Sequence, residues 1–187
     1  EYSVVKKHFI KLIPDILKEI NELSEGDRGY CYSISELARR LFQSCGISSQ
    51  VAFVRGVIEN EISENLRKVI PIESPEFLPA LKSNGGYTMG VGIVKDCNGT
   101  PNFHAVLYFP EQNEILDMTT KLFHRPLYNI YMPDWFYGSY EDYFKMYSDG
   151  FPKVLCKFPE FGQTFNPMID REPKCKDIIR RYKKLMN

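Results

Sequence analysis

The stretch CYSISELARRLFQSCGISSQVAFVRG, residues 31–56, carries the strongest prediction about the fold. Apolar residues recur at three-to-four spacing over residues 33–44, which is typical of a helix with one buried face. Gly46 follows the last periodic residue, where a glycine commonly ends a helix. Residues 49–58 are rich in β-branched and aromatic side chains and predict a strand. The sequence therefore predicts a cysteine at the start of a helix that leads directly into a strand.

Further strands and two terminal helices are predicted on either side of this unit. Residues 89–94 and 103–109 read as strands joined by the turn Asn98-Gly99, and residues 114–117 as a third, so that residues 87–118 form an antiparallel meander. Helical periodicity covers residues 4–23, where Pro14 is expected to kink or split the helix, and residues 174–185. Residues 59–84 are expected to be a surface insertion with a short helix at best. The aromatic-rich stretch 128–165 is unassigned, with 151–158 a candidate strand.

Length and composition predict one domain over residues 1–187, which has an N-terminal helix and a C-terminal aromatic-rich extension. The chain has 24 Lys plus Arg and 24 Asp plus Glu, and this balance argues against a nucleic-acid partner. Five dispersed cysteines without a CxxC pair argue against a disulfide scaffold. The first residues lack a signal-peptide pattern, and no apolar run approaches the ~18 residues of a membrane span. We therefore expect a cytoplasmic protein without a membrane partner.

Cys31, His104 and Asp117 are candidates for a thiol-nucleophile site. Such a site needs a favoured thiolate, a base within hydrogen-bond reach and a third group that orients the base. Cys31 is expected just ahead of its helix, where the positive end of the dipole stabilises a thiolate and the Cys31 backbone N–H can donate to an oxyanion. His104 and Asp117 lie on neighbouring predicted strands, and directly opposed residues of such a pair are in contact.

The motifs CYSISELARRLFQSCGISSQVAFVRG, FHAVLYF around His104 and EILDMTT around Asp117 resemble, in order and spacing, the transglutaminase-like superfamily. This resemblance covers about residues 29–120 and implies an α+β fold with a papain-like core there, in which N-terminal helices pack on an antiparallel sheet. It implies that Cys31 is the nucleophile, His104 the general base and Asp117 the orienting acid. The implied reaction is hydrolysis or acyl transfer on a protein, peptide or small amide substrate, without a cofactor.

The chain departs from this family pattern at the oxyanion hole and at the tryptophan. Papain-like peptidases place a glutamine shortly before the cysteine, whereas the first glutamine here is Gln43. Asn21 is the only side-chain amide upstream of the cysteine, so Asn21 and Tyr30 are the candidate second donors. Transglutaminases carry a tryptophan near the site, and the single tryptophan here, Trp135, lies far along the chain.

Three other interpretations of the sequence remain open. The chain could be a protein- or peptide-binding module on the same fold, because rigid aromatics such as those of residues 128–137 anchor interfaces. The three site residues could instead bind a metal ion, although a fourth ligand and the usual spacing are missing. Arylamine-type acetyl transfer from a thioester uses the same triad but usually needs additional domains. Oligomeric state is not predicted.

Overall fold

The computed structural model describes residues 1–23, 30–92, 103–156 and 167–187, and the chain opens with two helices. Helix α1 (Tyr2–Leu23) buries the residues of its apolar stripe, such as Phe9 and Ile16. Pro14 lies inside this single helix, so the proline does not split the helix, and the alternative of a kink stays a prediction. Helix α2 (Tyr30–Ser44) begins earlier than predicted. Cys31 therefore lies in the first turn of α2 rather than ahead of it.

Five strands form an antiparallel sheet: β1 (Gln50–Glu59), β2 (Thr88–Val91), β3 (His104–Phe109), β4 (Glu114–Asp117) and β5 (Phe136–Ser139). Their order across the sheet is β2-β1-β3-β4-β5, and a sixth strand, β6 (Val154–Cys156), also pairs with β1. The predicted positions of β1 and β3 are correct to within one residue, and that of β4 is correct at both ends. The strand predicted over residues 151–158 is shorter, and its last two residues lie outside the described part of the chain.

The predicted meander is wrong at its first strand. β2 pairs with β1, as in the register Val57↔Gly90, and β1 pairs on with β3, as in Ala52↔Val106. β1 is ten residues long, and this length lets its two halves pair with different strands. The Asn98-Gly99 turn lies outside the described residues. The second half of the meander is confirmed, since β3 and β4 pair in the register Leu107↔Leu116.

The remaining helices are short except the last one. The insertion at residues 59–84 contains α3 (Glu61–Arg67) and α4 (Phe77–Ser83), so the expectation of at most one short helix was wrong. Two 3₁₀ turns (Thr120–Phe123 and Pro126–Tyr128) are followed by α5 (Tyr140–Phe144), which begins directly after β5. The chain ends with α6 (Met168–Arg171) and α7 (Pro173–Met186), and α7 confirms the predicted terminal helix.

The two faces of the sheet are covered by different elements. On one face, α1, α2 and α7 pack against Leu107, Phe109 and Leu116 in the larger core cluster. On the other face, Val106 and Ile115 pack with α5 and the residues that follow it. The fold is thus a mixture of helices and an antiparallel sheet, with helices packed on the sheet as predicted. Within the part of the chain that the structure describes, no helix combines the length and apolar character needed to cross a bilayer.

Candidate active site

His104 and Asp117 are in direct contact at the end of the sheet where β3 begins and β4 ends. His104 Nε2 and Asp117 Oδ2 are 2.6 Å apart, and both side chains are buried. The register Leu107↔Leu116 places residue 106 opposite Asp117, so His104 is its diagonal neighbour. The two residues are therefore adjacent as expected, but they are diagonal rather than directly opposed. The contact still forms because diagonal neighbours share a face and long side chains span their separation.

Asp117 accepts four hydrogen bonds from described residues. Oδ1 accepts from the Thr119 backbone N–H at 2.9 Å and from the Thr119 hydroxyl at 3.2 Å. Oδ2 accepts from the Tyr143 hydroxyl at 2.7 Å as well as from His104. Burial alone would raise the pKa of Asp117, but the charge of His104 and these donors outweigh burial and hold the pKa below its usual range. Asp117 is therefore a carboxylate although it is fully buried.

The His104 ring is held between Asp117 and Cys31. Burial disfavours the imidazolium, but the charge and hydrogen bond of Asp117, aided by a hydrogen bond to Cys31, raise the pKa of His104 to about 10. Phe123 contacts the ring edge-on, with centroids 4.8 Å apart. Because Nε2 faces Asp117, Nδ1 is the nitrogen left to face the thiol. The structure thus places His104 against Asp117, with Cys31 near enough to contribute to the raised pKa of His104.

Cys31 occupies a buried position in the first turn of α2. The residue is 2% exposed and packs with Phe53 and Ala105. The Cys31 sulfur lies 3.9 Å from the backbone oxygen of Phe103. Ser35 ties this turn to β3, since its hydroxyl lies 2.8 Å from the Cys31 carbonyl oxygen and 3.3 Å from that of Ala105. As a first-turn residue, Cys31 has a backbone N–H without an intrahelical acceptor.

An open cleft of about 540 Å³ is lined by residues that neighbour Cys31 and Asp117 in the sequence. Its lining includes Tyr30, which precedes Cys31, and Met118, which follows Asp117. Both predicted oxyanion donors, Asn21 and Tyr30, line the cleft, and so does Trp135. Burial and the nearby charges of Cys31 and Asp117 raise the pKa of Tyr30, so its hydroxyl keeps its proton at neutral pH. The structure therefore places Asn21, Tyr30 and the distant tryptophan beside one cavity.

The other described thiols have different surroundings: Cys45 lies near the end of α7, Cys175 lies in the larger core cluster, and Cys156 packs against the cluster of Cys31, Phe53 and Ala105. Cys45, Cys156 and Cys175 are free thiols, as is Cys31. The described residues contain no group of three or more His, Cys, Asp and Glu side chains that could hold a metal ion. His124 accepts a hydrogen bond at Nδ1 from the Met132 backbone N–H at 3.0 Å, which gives it a local role in its loop.

Two residues of the site were missed by sequence reasoning. Ser35 lies one turn after Cys31, a spacing at which a serine can bond back to the helix carbonyl, so its contact could have been anticipated. Tyr143 lies 26 residues after Asp117 in the unassigned aromatic stretch, and nothing local marks its hydroxyl as a partner.

Compared with known proteins, the chain matches no family model, no curated protein and no solved structure. Its resemblance to the transglutaminase-like superfamily therefore stays a prediction.

Proposed function

We propose that the protein is a cysteine hydrolase or acyltransferase with a papain-like (transglutaminase-like) core. Cys31 acts as the nucleophile, His104 as the base and Asp117 as the group that orients the base. The observation that carries this proposal is the buried 2.6 Å contact between His104 Nε2 and the Asp117 carboxylate, with Cys31 near enough to His104 to help raise the pKa of the ring.

In the proposed reaction, the raised pKa of His104 favours transfer of the Cys31 proton to the ring. The sulfur then forms a bond to the carbonyl carbon of an amide or thioester, and the carbonyl oxygen becomes an oxyanion. The Cys31 backbone N–H donates to this oxyanion, and Tyr30 or Asn21 supplies a second donor. The imidazolium protonates the leaving group as its bond to carbon breaks. Water or an amine then attacks the thioester and releases the acyl group.

The cleft lined by Tyr30 and Trp135 is the proposed substrate site. Its lining combines apolar side chains such as Leu17 and Met118 with charged ones such as Lys121 and Asp134. Such a mixture fits a peptide or a small amide, whose backbone needs polar partners and whose side chains need apolar contacts. Hydrolysis is the default outcome because water is always present, whereas transamidation requires an amine to bind beside the thioester. The proposed enzyme uses no cofactor and acts in the cytoplasm.

Burial of the thiol favours a second candidate function. Because Cys31 is only 2% exposed, its sulfur cannot attack a substrate until the neighbouring side chains move, notably Phe53 and Phe103, whose rings pack edge-on at 5.4 Å. In the alternative, the protein is a non-catalytic protein- or peptide-binding module on the same fold. Cys31, His104 and Asp117 are then a buried polar cluster that only fixes α2 against the sheet.

Competitive alkylation distinguishes the two functions. Treatment with iodoacetamide at pH 7, followed by mass spectrometry of each cysteine over time, gives five rates in one sample. Cys175 is the matched internal control, because it is 0% exposed and burial raises the pKa of its thiol. The enzyme proposal predicts that Cys31 reacts at least tenfold faster than Cys175 and that His104→Gln removes most of this difference. Equal rates for these two buried thiols would support the binding module.

A further inference from the structure

Two buried tyrosines extend the line of hydrogen bonds beyond Asp117. The Tyr143 hydroxyl contacts Asp117 Oδ2 at 2.7 Å, the same oxygen that His104 contacts. The Tyr147 hydroxyl lies 2.9 Å from that of Tyr143. Tyr143 lies on α5 and Tyr147 three residues beyond the end of α5, and both are buried in the cluster on that face of the sheet. This part of the chain was unassigned from the sequence.

The direction of each hydrogen bond follows from counting protons. A carboxylate only accepts, so the single hydroxyl proton of Tyr143 goes to Asp117. The Tyr143 oxygen can then only accept from Tyr147, whose own proton must point toward Tyr143. The chain of donation is therefore Tyr147 to Tyr143 to Asp117, and a donor that itself accepts a hydrogen bond is a stronger donor.

We propose that Tyr143, supported by Tyr147, is a positioning residue that keeps Asp117 ionised and directed at His104. The proposal deepens the proposed function, since it assigns these tyrosines to the same site. Asp117 is 0% exposed and lies among apolar side chains such as Ile115, where an unassisted carboxyl group would take up a proton. A neutral carboxyl group would no longer hold the imidazolium, so each donor to Asp117 also acts on His104.

The backbone of β1 fixes the position of Tyr147, the first donor in this chain of hydrogen bonds. A Cβ atom on Gly56 would lie 2.6 Å from Cδ1 of Tyr147, so the ring occupies space that only a glycine leaves free. The next residue along, Ser148, donates its backbone N–H to the Val57 carbonyl oxygen at 2.7 Å. The position of the Tyr147 hydroxyl is thus set by a strand glycine and a main-chain hydrogen bond rather than by a loop.

The test is the substitution Tyr143→Phe, read by the ¹³Cγ resonance of Asp117 as a function of pH. Loss of one hydrogen bond to a charged group is expected to raise the titration midpoint of Asp117 by about one pH unit, a roughly tenfold change in its acid dissociation constant. Tyr147→Phe leaves the direct donor in place and should give a smaller rise. Tyr108→Phe is the matched control, because that hydroxyl is on β3 but bonds to the exposed Asn113. It should leave the midpoint unchanged.

A second measurement separates this proposal from the proposed function. In the reactive enzyme, the acid limb of Cys31 alkylation by iodoacetamide should move to higher pH in Tyr143→Phe. A shifted Asp117 midpoint with an unreactive Cys31 in the unsubstituted protein would support the positioning role and overturn the enzyme. A reactive Cys31 with an unchanged Asp117 midpoint would support the enzyme and overturn the positioning role of Tyr143. If Tyr143→Phe fails to fold, the Asp117 midpoint is measured in Tyr147→Phe and Gly56→Ala instead. An unchanged midpoint in both variants overturns the proposal.

Discussion

Replacing Asp117 with asparagine keeps the shape of the side chain and removes its charge. Asp117 accepts hydrogen bonds from Thr119, Tyr143 and His104, whereas an amide has one accepting oxygen and one donating nitrogen. The Thr119 backbone N–H cannot reverse, so the amide oxygen is expected to face Thr119. The amide nitrogen then faces His104, which must accept at Nε2. We therefore expect a neutral His104 with its proton on Nδ1, where it can no longer take a proton from Cys31.

The size of the effect follows from the pKa of His104. Burial lowers this pKa, and Asp117 is the main group that raises it to about 10 from the ordinary 6.5. Without the carboxylate, burial dominates and the pKa of His104 should fall below 6.5. A fall of more than 3 pH units is on the order of 5 kcal/mol of imidazolium stabilisation. This magnitude agrees with the ~3–5 kcal/mol typically lost when one partner of a buried ion pair is removed.

Two assays measure the Asp117→Asn variant. The ¹⁵N resonances of the His104 ring report both its pKa and its tautomer, and urea unfolding at pH 5 reports the loss of stability. Asp142→Asn is the control, because that carboxylate pairs with Lys145 on the exposed side of α5 and its loss should change the stability little. The reasoning is refuted if His104 still titrates near pH 10 in Asp117→Asn, or if both variants lose the same stability.

The pH dependence of stability follows from the same pair, and the cleft can be tested separately. The raised pKa of His104 contributes stability below pH 6.5 that is lost as the pH rises toward 10, and the lowered pKa of Asp117 contributes stability above pH 3.8 that is lost in acid. Urea unfolding should therefore give a maximum between these limits, and Asp117→Asn should flatten it. Trp135 is the only tryptophan and lines the cleft, so its fluorescence should change when a bulky maleimide labels Cys31. The same maleimide should leave the emission of Cys31→Ala unchanged, whereas equal changes in both proteins would contradict a cleft beside the thiol.

The parts of the fold that sequence reasoning predicted correctly depend on local patterns. The apolar stripe of α2 and the glycine that follows it lie close together in the sequence, and together they predict where the helix ends. β3 and β4 are joined by a short turn, so their pairing costs little loop entropy and their composition suffices to predict it. The contact between His104 and Asp117 could be predicted for the same reason, since the two residues lie on one hairpin.

The parts that were missed depend on pairings between distant residues. The Asn98-Gly99 dipeptide predicts a turn that would pair β2 directly with β3, but β1 lies between these two strands. Burial of the long apolar run of β1 outweighs a local turn preference. The diagonal register of His104 and Asp117 is set by the Leu107↔Leu116 pair rather than by the turn. Tyr143 reaches Asp117 only because α5 covers that face of the sheet, which no local pattern indicates.

The energetics of the site weigh against a purely structural role for the three residues. A buried ion pair is expensive to desolvate, and apolar side chains of similar volume often stabilise a core as well or better. Here the pair of His104 and Asp117 is buried and is supported by three further hydrogen bonds to the carboxylate. Perturbed ionisable groups of this kind concentrate at functional sites. Catalysis would also require access to the sulfur of Cys31. The choice between the two proposed functions therefore depends on whether this thiol becomes exposed faster than that of Cys175, which is also buried.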